Sequence, residues 1–281
     1  MKTRLPYPAL SESYRNLFPF RLATTSFIYP DTYANNVRML APYVDEIELL
    51  MFESAAASLP SKKDISELCL LADDFDITFN VHLPYDVPLD DTDPIKRTHA
   101  ADAIQHVIEL TAPLWPSTLT LHLPYNEAGC ESGHIKAWQE NICEGMNHIL
   151  TSGIDSRKIS IETLAYPFKW TEPVVKELNL SVCLDIGHLM RFGYNVNDAF
   201  NRYADITTII HLHGIENRQD HVALNNLSEN ELNLIWNILN RYKGIMSVEV
   251  FSFKHLETSL KLLKKKLALP HVTHTQDLQE P

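Results

Sequence analysis

Short runs of aliphatic and β-branched residues alternate with longer segments whose apolar positions recur at helical spacing, and the alternation holds along most of the chain. The apolar runs predict eight strands, at residues 21–27, 45–52, 77–82, 118–122, 158–162, 181–185, 207–211 and 246–250. Between them, residues 64–73, 94–112, 134–152, 172–177, 197–203 and 228–242 have the length of crossover helices over a parallel sheet, and 253–267 forms a last helix. Asp64, Thr171 and Ser228 are expected N-caps, each offering a side-chain acceptor just before a helical pattern.

Eight βα units predict an α/β protein built as a single (β/α)8 TIM barrel, and 281 residues accommodate one such barrel of roughly 250 residues. No Gly/Ser linker divides the chain. The expected organisation is therefore a lead-in at 1–20, one barrel at 21–269 and a loose tail at 270–281. A dinucleotide-binding sheet is disfavoured because there is no G-x-G-x-x-G and only 8 glycines are available.

Composition narrows the partners. With 45% hydrophobic and 21% charged residues the chain can bury a full core, which excludes global disorder. Thirty-six acidic against 24 basic residues give a net charge of −12, a field that repels nucleic acid unless a bound cation overrides it. The four cysteines contain no C-x-x-C pair, so neither a disulfide scaffold nor a thiolate zinc site is expected. The N-terminus lacks the apolar core of a signal peptide, and no apolar run approaches the ~18 residues of a membrane span. The expected setting is the cytoplasm, with a small-molecule substrate and neither nucleic acid nor membrane as partner; the oligomeric state is left open.

The chemistry gathers where the strands end. The third strand closes with VHLPY at 81–85 and the fourth with LHLPY at 121–125, so His82 and His122 sit 40 residues apart at equivalent heights. The fifth ends on Glu162, the sixth on Asp185, the seventh on His211, and the eighth on Glu249. In a barrel those ends converge on one mouth, where barrel active sites lie. Three carboxylates brought together there repel one another, and a divalent cation removes the conflict. A purely structural cluster would need arginines at neighbouring strand ends, and the sequence has none there.

The charge count then separates reactions. One divalent ion among three carboxylates leaves about −1, suited to a neutral sugar, whereas two leave about +1, which attracts a phosphodiester. Neutral His82 and His122 make room for the second ion, so two divalent ions and hydrolysis are favoured. Oxygen and imidazole donors without thiolate suit Zn, Mn or Fe(II). His188, in the sequence D-I-G-H, and His213, Asp220 and His221 beyond the seventh strand are candidates for a third ion beside the two. Glu53 closes the second strand segment and points by position to the same mouth as a catalytic or substrate-binding group. Tyr85 and Tyr125 are candidate walls for an aromatic or macrocyclic ligand, with His213 as a further substrate contact.

These residues resemble the xylose-isomerase-like barrels that include endonuclease IV, over roughly residues 21–267. The endonuclease branch implies one metal site of His82, His122 and Glu162, and a second of Glu162, Asp185, His211 and Glu249. His188 matches the D-x-x-H histidine of a third site. The rest of that site departs from the pattern, because the family has D-x-H where this chain reads Gln219-Asp220-His221. Within the superfamily, the stretch 21–54 together with VHLPYD and DIGHLMRFGY is similar to the CbiR family of cobamide-remodelling phosphodiesterases. That resemblance implies hydrolysis of the phosphoribosyl bond in the nucleotide loop of a cobamide, giving cobinamide phosphate and α-ribazole. For that hydrolysis Glu162 is the shared metal ligand, Glu249 or Glu53 the candidate that orients the water, and His188 or His221 the candidate that assists the leaving group, His221 being also a candidate metal ligand. The rivals are a single-metal sugar isomerase or epimerase, a DNA-repair endonuclease, and a corrinoid-binding module without catalysis.

Overall fold

The computed structural model describes residues 7–125 and 130–267. Eight parallel strands close into a barrel: β1 (Arg21–Thr25), β2 (Glu46–Leu50), β3 (Thr78–His82), β4 (Leu119–Leu121), β5 (Ile159–Glu162), β6 (Ser181–Asp185), β7 (Thr207–Leu212) and, after a two-stranded insertion, β10 (Ile245–Val248). Each strand pairs with its sequence neighbours, and β10 closes the ring on β1 through Arg21↔Ile245 and Leu22↔Met246. This is the expected TIM barrel.

Outside it lie α1 (Tyr33–Leu40), α2 (Lys62–Phe75), α3 (Pro94–Thr111), α4 (Ser132–Leu150), α5 (Glu172–Glu177), α6 (Ile186–Arg191), α7 (Val196–Tyr203), α8 (Glu229–Leu239) and α9 (Phe253–Leu267). The main core lies between strands and helices, and Ile47, Leu49, Phe79, Val81, Ile159 and Ile161 from the strands are fully buried. Alternate residues on the same strands are polar and equally buried, among them Glu46, Glu48, Asn80, His82, Ser160 and Glu162. The period of two thus sorts apolar side chains to one face of the barrel wall and polar ones to the other.

At one end the polar face satisfies itself: Glu46 accepts from Asn80 Nδ2 (2.8 Å), Thr78 Oγ1 (2.6 Å) and Ser117 Oγ (2.5 Å). Part of the predicted lead-in packs on this body, with Tyr14, Phe18 and Phe20 buried and the Asp45 carboxylate accepting from the backbone N–H of Asn16 and Leu22 (2.9 Å each). The predicted tail at 270–281 lies outside the described residues. Among the described residues no helix is long and apolar enough to cross a membrane.

Some local readings change. Ser61, and not Asp64, is the N-cap of α2; Asp64 is the reciprocal partner of its capping box. Ser228 caps α8 in the same way with Glu231, whereas the Thr171 hydroxyl turns back to Phe168 O (2.7 Å) and caps nothing. The expected loop after β7 contains an antiparallel hairpin, β8 (Gly214–Glu216) and β9 (Gln219–Val222). Its turn residues Asn217 and Arg218 both have positive φ (51° and 70°), the mirror-image geometry that two-residue hairpins favour.

Candidate metal centre

His82 ends β3, His122 stands one residue beyond β4, and Glu162 ends β5. Their tips converge: His122 Nε2 is 2.9 Å and His82 Nε2 3.3 Å from the same Glu162 oxygen, Oε2, and the two nitrogens are 3.1 Å apart. The other nitrogen of His82 is 3.0 Å from Leu83 O, so donating Nδ1–H there leaves the Nε2 lone pair facing Glu162.

Glu162 belongs equally to a second group. With Asp185, His211 and Glu249 it places four donor atoms within 4.8 Å of one another, all on buried residues. His211 Nδ1 is 3.1 Å from Glu249 Oε2 and 3.5 Å from Glu162 Oε2. A third group, His188, His213 and His221, adjoins the second through Asp185, whose oxygens are 3.2 Å from His188 Nδ1 and 3.3 Å from His213 Nε2. His188 Nδ1 is also 3.1 Å from Glu162 Oε1.

The donor atoms are without hydrogen-bond partners where a cation would sit. Among the described residues, 12 buried side-chain polar atoms make no regular hydrogen bond; Glu48 Oε1 and His211 Nε2 face each other at 3.0 Å, and five more belong here: Asp185 Oδ2, His188 Nδ1, His211 Nδ1, His213 Nε2 and Glu249 Oε2. Burying so many unsatisfied lone pairs in one place is costly unless a ligand takes them up. Imidazole and carboxylate donors in this arrangement fit divalent ions of the Zn, Mn or Fe(II) kind.

Electrostatics point the same way. Burial alone would raise the Glu162 carboxyl, but His122, His188 and His82 hold it well below the usual range. Burial disfavours the His188 imidazolium, yet Asp185 and Glu162 outweigh it and push that imidazole up to about 10. His82, His211 and His213 are also raised against burial, His82 through Glu162 and His213 through Asp185. The carboxylates thus draw positive charge strongly, and a metal ion bound there would take the place of those protons. Cys183 adjoins Glu162 and His211, but burial pushes its thiol far up, so it stays protonated and a poor ligand.

Several sequence expectations move. Glu53 lies beyond β2 and accepts from Ser58 Oγ; the strand-two glutamate that reaches the cluster is Glu48, fully buried, 3.0 Å from His211 Nε2. Its signal was a charged residue at i+2 from Glu46 within an apolar strand. With Glu48 the carboxylates number four, so two divalent ions leave about zero charge rather than +1. His213 is fully buried beside His188 and His221 instead of lining open space, and a Cβ on Gly187 would run into its ring. The glycine of D-I-G-H therefore makes room for His213. Asp220 is held by Arg191, and its Oδ2 stays 4.0 Å from His188 Nε2. His221 enters the third group with φ of 54°, an unusual backbone for a non-glycine residue, and its Nδ1 lies 3.0 Å from Glu249 O.

Tyr85 stands at the mouth, stacked on His122 with ring centroids 5.5 Å apart. Tyr125 instead packs edge-on among Trp138, Tyr166 and Trp170, so it forms an aromatic cluster and not the expected wall over the cations.

Residues 44–267 match the family model of xylose isomerase-like TIM barrels. No curated protein matches the chain. Among solved structures, a D-tagatose 3-epimerase-like protein superimposes with a TM-score of 0.73 at 18% identity, over 88% of this chain and 97% of its own. D-psicose 3-epimerase from Clostridium cellulolyticum does so with 0.63 at 15%, over 88% and 95%. Endonuclease IV from Thermus thermophilus gives 0.63 at 17%, over 87% and 98%. At such identities the likeness shows the shared fold.

Proposed function

The chain belongs to the xylose isomerase-like TIM-barrel family, and from that premise we propose that it is a metal-dependent phosphodiesterase that opens the nucleotide loop of cobamides, releasing cobinamide phosphate and α-ribazole. The observation that carries this reading is the convergence of His82 and His122 on the same Glu162 oxygen that the Asp185, His211 and Glu249 group shares. Two donor groups that share one carboxylate would hold two divalent ions side by side, which suits an in-line displacement at phosphorus. The cobamide as substrate rests on the sequence similarity of residues 21–54, VHLPYD and DIGHLMRFGY.

Held by His82, His122 and Glu162 and by Glu162, Asp185, His211 and Glu249, divalent ions would supply an activated water and offset charge on the phosphoryl oxygens. The protein's own part is to set geometry and move protons. Glu162 holds both donor groups in register. Glu249, buried one residue beyond β10 beside the quartet, is placed to orient the attacking water. His188, partly exposed at the third group with Nδ1 3.1 Å from Glu162 Oε1, is placed to pass a proton to the leaving alkoxide.

A second reading, a sugar isomerase or epimerase with one metal, is favoured by the completeness of the Glu162, Asp185, His211 and Glu249 quartet without His82 and His122. A DNA-repair role is opposed by the net charge of −12. Incubating the metal-loaded protein with a cobamide and weighing the products separates them. Cobinamide phosphate with α-ribazole supports hydrolysis; intact cobamide alongside aldose–ketose interconversion overturns it.

A further inference from the structure

Of the eight large apolar side chains most exposed among the described residues, Tyr85 (48%), Phe192 (40%) and Phe251 (41%) all border the histidine groups at the barrel mouth. Two of them, Tyr85 and Phe251, form a continuous wall with Phe52. Tyr85 stacks on His122 at 5.5 Å and meets Phe52 at 5.1 Å; Phe52 stands edge-on to His82 at 4.8 Å and reaches Phe251 at 6.5 Å; Phe251 lies 4.8 Å from His221. On another side Phe192 lies 6.1 Å from His188. The wall therefore runs from the first donor group to the third, with Tyr85 and Phe251 exposed at its two ends and Phe52 half-buried between them.

Exposed aromatic faces gathered at one rim lower their free energy when a ligand covers them. A single sugar ring or nucleobase covers about one aromatic face. The three rings line the rim side by side but steeply inclined, with planes at 54° and 89°, so they offer edges as well as faces over a span longer than one ring. The wall suits a broad ring system that touches several faces with apolar edges.

We infer that the wall Tyr85–Phe52–Phe251 is a binding subsite for a macrocycle attached to the scissile phosphodiester, seated while the phosphate lies over Glu162. The inference deepens the phosphodiesterase reading and rests on it for the position of the phosphate. Tyr85 and Phe251 determine which substrates are accepted, and they act through apolar contact.

Cobinamide is a suitable probe, because it has the corrin macrocycle and no phosphodiester. Its binding to the metal-loaded full-length protein is measured by equilibrium dialysis for the unaltered chain, Tyr85→Ala, Phe251→Ala and the conservative Tyr85→Phe. The expected result is saturable binding, weakened about tenfold by each alanine and kept by phenylalanine, as loss of one aromatic face contact implies. In turnover, the ratio of kcat/KM for cobalamin to that for bis(4-nitrophenyl) phosphate falls about tenfold in the alanine variants, with the change in KM for cobalamin. Absence of saturable cobinamide binding, or an unaltered ratio in both alanine variants, overturns the subsite. Retained, wall-dependent cobinamide binding without hydrolysis of either diester supports the subsite and overturns the phosphodiesterase reading instead.

Discussion

Glu48 Oε1 lies 3.0 Å from His211 Nε2, and both residues are fully buried. The other Glu48 oxygen accepts from Ser247 Oγ at 2.6 Å, which fixes the carboxylate against β10. With Glu48 facing Nε2, His211 presents Nδ1 towards Glu249 and Glu162. A carboxylate behind a metal-binding imidazole fixes its tautomer and raises its basicity. Glu48→Gln is expected to weaken divalent-metal binding at the quartet by about 10–100-fold while the fold persists. Competition with a chromophoric chelator measures the affinity and circular dichroism the fold. Unchanged affinity would reduce Glu48 to a packing role.

His82→Ala combined with His122→Ala removes two of the three donors of the first group and leaves the quartet intact. The expected outcome is the loss of one bound ion per chain and of hydrolysis, with the metal-free protein still folded and melting cooperatively, at a temperature shifted by the loss of His82 from the cluster. Metal analysis after gel filtration gives the count. A variant that keeps both ions and full turnover contradicts the bridging role assigned to Glu162.

Much of this was legible in the strand ends. His82, Glu162 and Asp185 terminate their strands as the apolar runs predict, and His122 and Glu249 stand one residue beyond theirs. A strand end brings its side chain to the mouth wherever the barrel closes, so a one-residue error in the boundary costs nothing. Glu48 was not legible in the same way because it lies inside β2: the period of two places it on the same face as Glu46 but does not tell how near the mouth that position stands. His213 was misplaced because the β8–β9 hairpin lacks the Asn-Gly signal; Arg218 occupies the position that glycine would have marked. Tyr125 repeats the word that contains Tyr85, yet Trp138 and Trp170 give it a packing site that the repeat cannot reveal.

The metal-free protein has a stability optimum set by this cluster. His188 is raised from 6.5 to about 10, so its contribution is complete below 6.5 and is lost as pH rises towards 10; His82, His211 and His213 act in the same sense. Glu162 and Asp185 are lowered from 4.5 and 3.8, so their contributions are present above those values and lost as pH falls below them. Melting temperature without metal should therefore peak between about pH 4.5 and 6.5 from these groups. Metal reverses the alkaline limb, because it takes the place of the protons. Calorimetry near pH 7.5 in buffers of different ionisation enthalpy should show at least about one proton released per chain on binding. Binding without proton release would refute the charged state assigned to these histidines.

Gly187→Ala places a Cβ against the His213 ring. Overpacking of this kind destabilises by about 1–3 kcal/mol, and here it also displaces His213 from Asp185. A lower melting temperature is expected, with disturbed metal binding at the third group and a normal first group. An alanine variant as stable as the original, with identical metal content, would show that the ring has room to move.

The central claim, two cations sharing Glu162, is tested most directly by anomalous scattering from Mn-loaded crystals at the manganese edge. The account predicts separate peaks beside His82 and His122 and beside Asp185, His211 and Glu249, both within bonding distance of Glu162. A single peak confined to the quartet, under saturating metal, would contradict it and favour the one-metal reading.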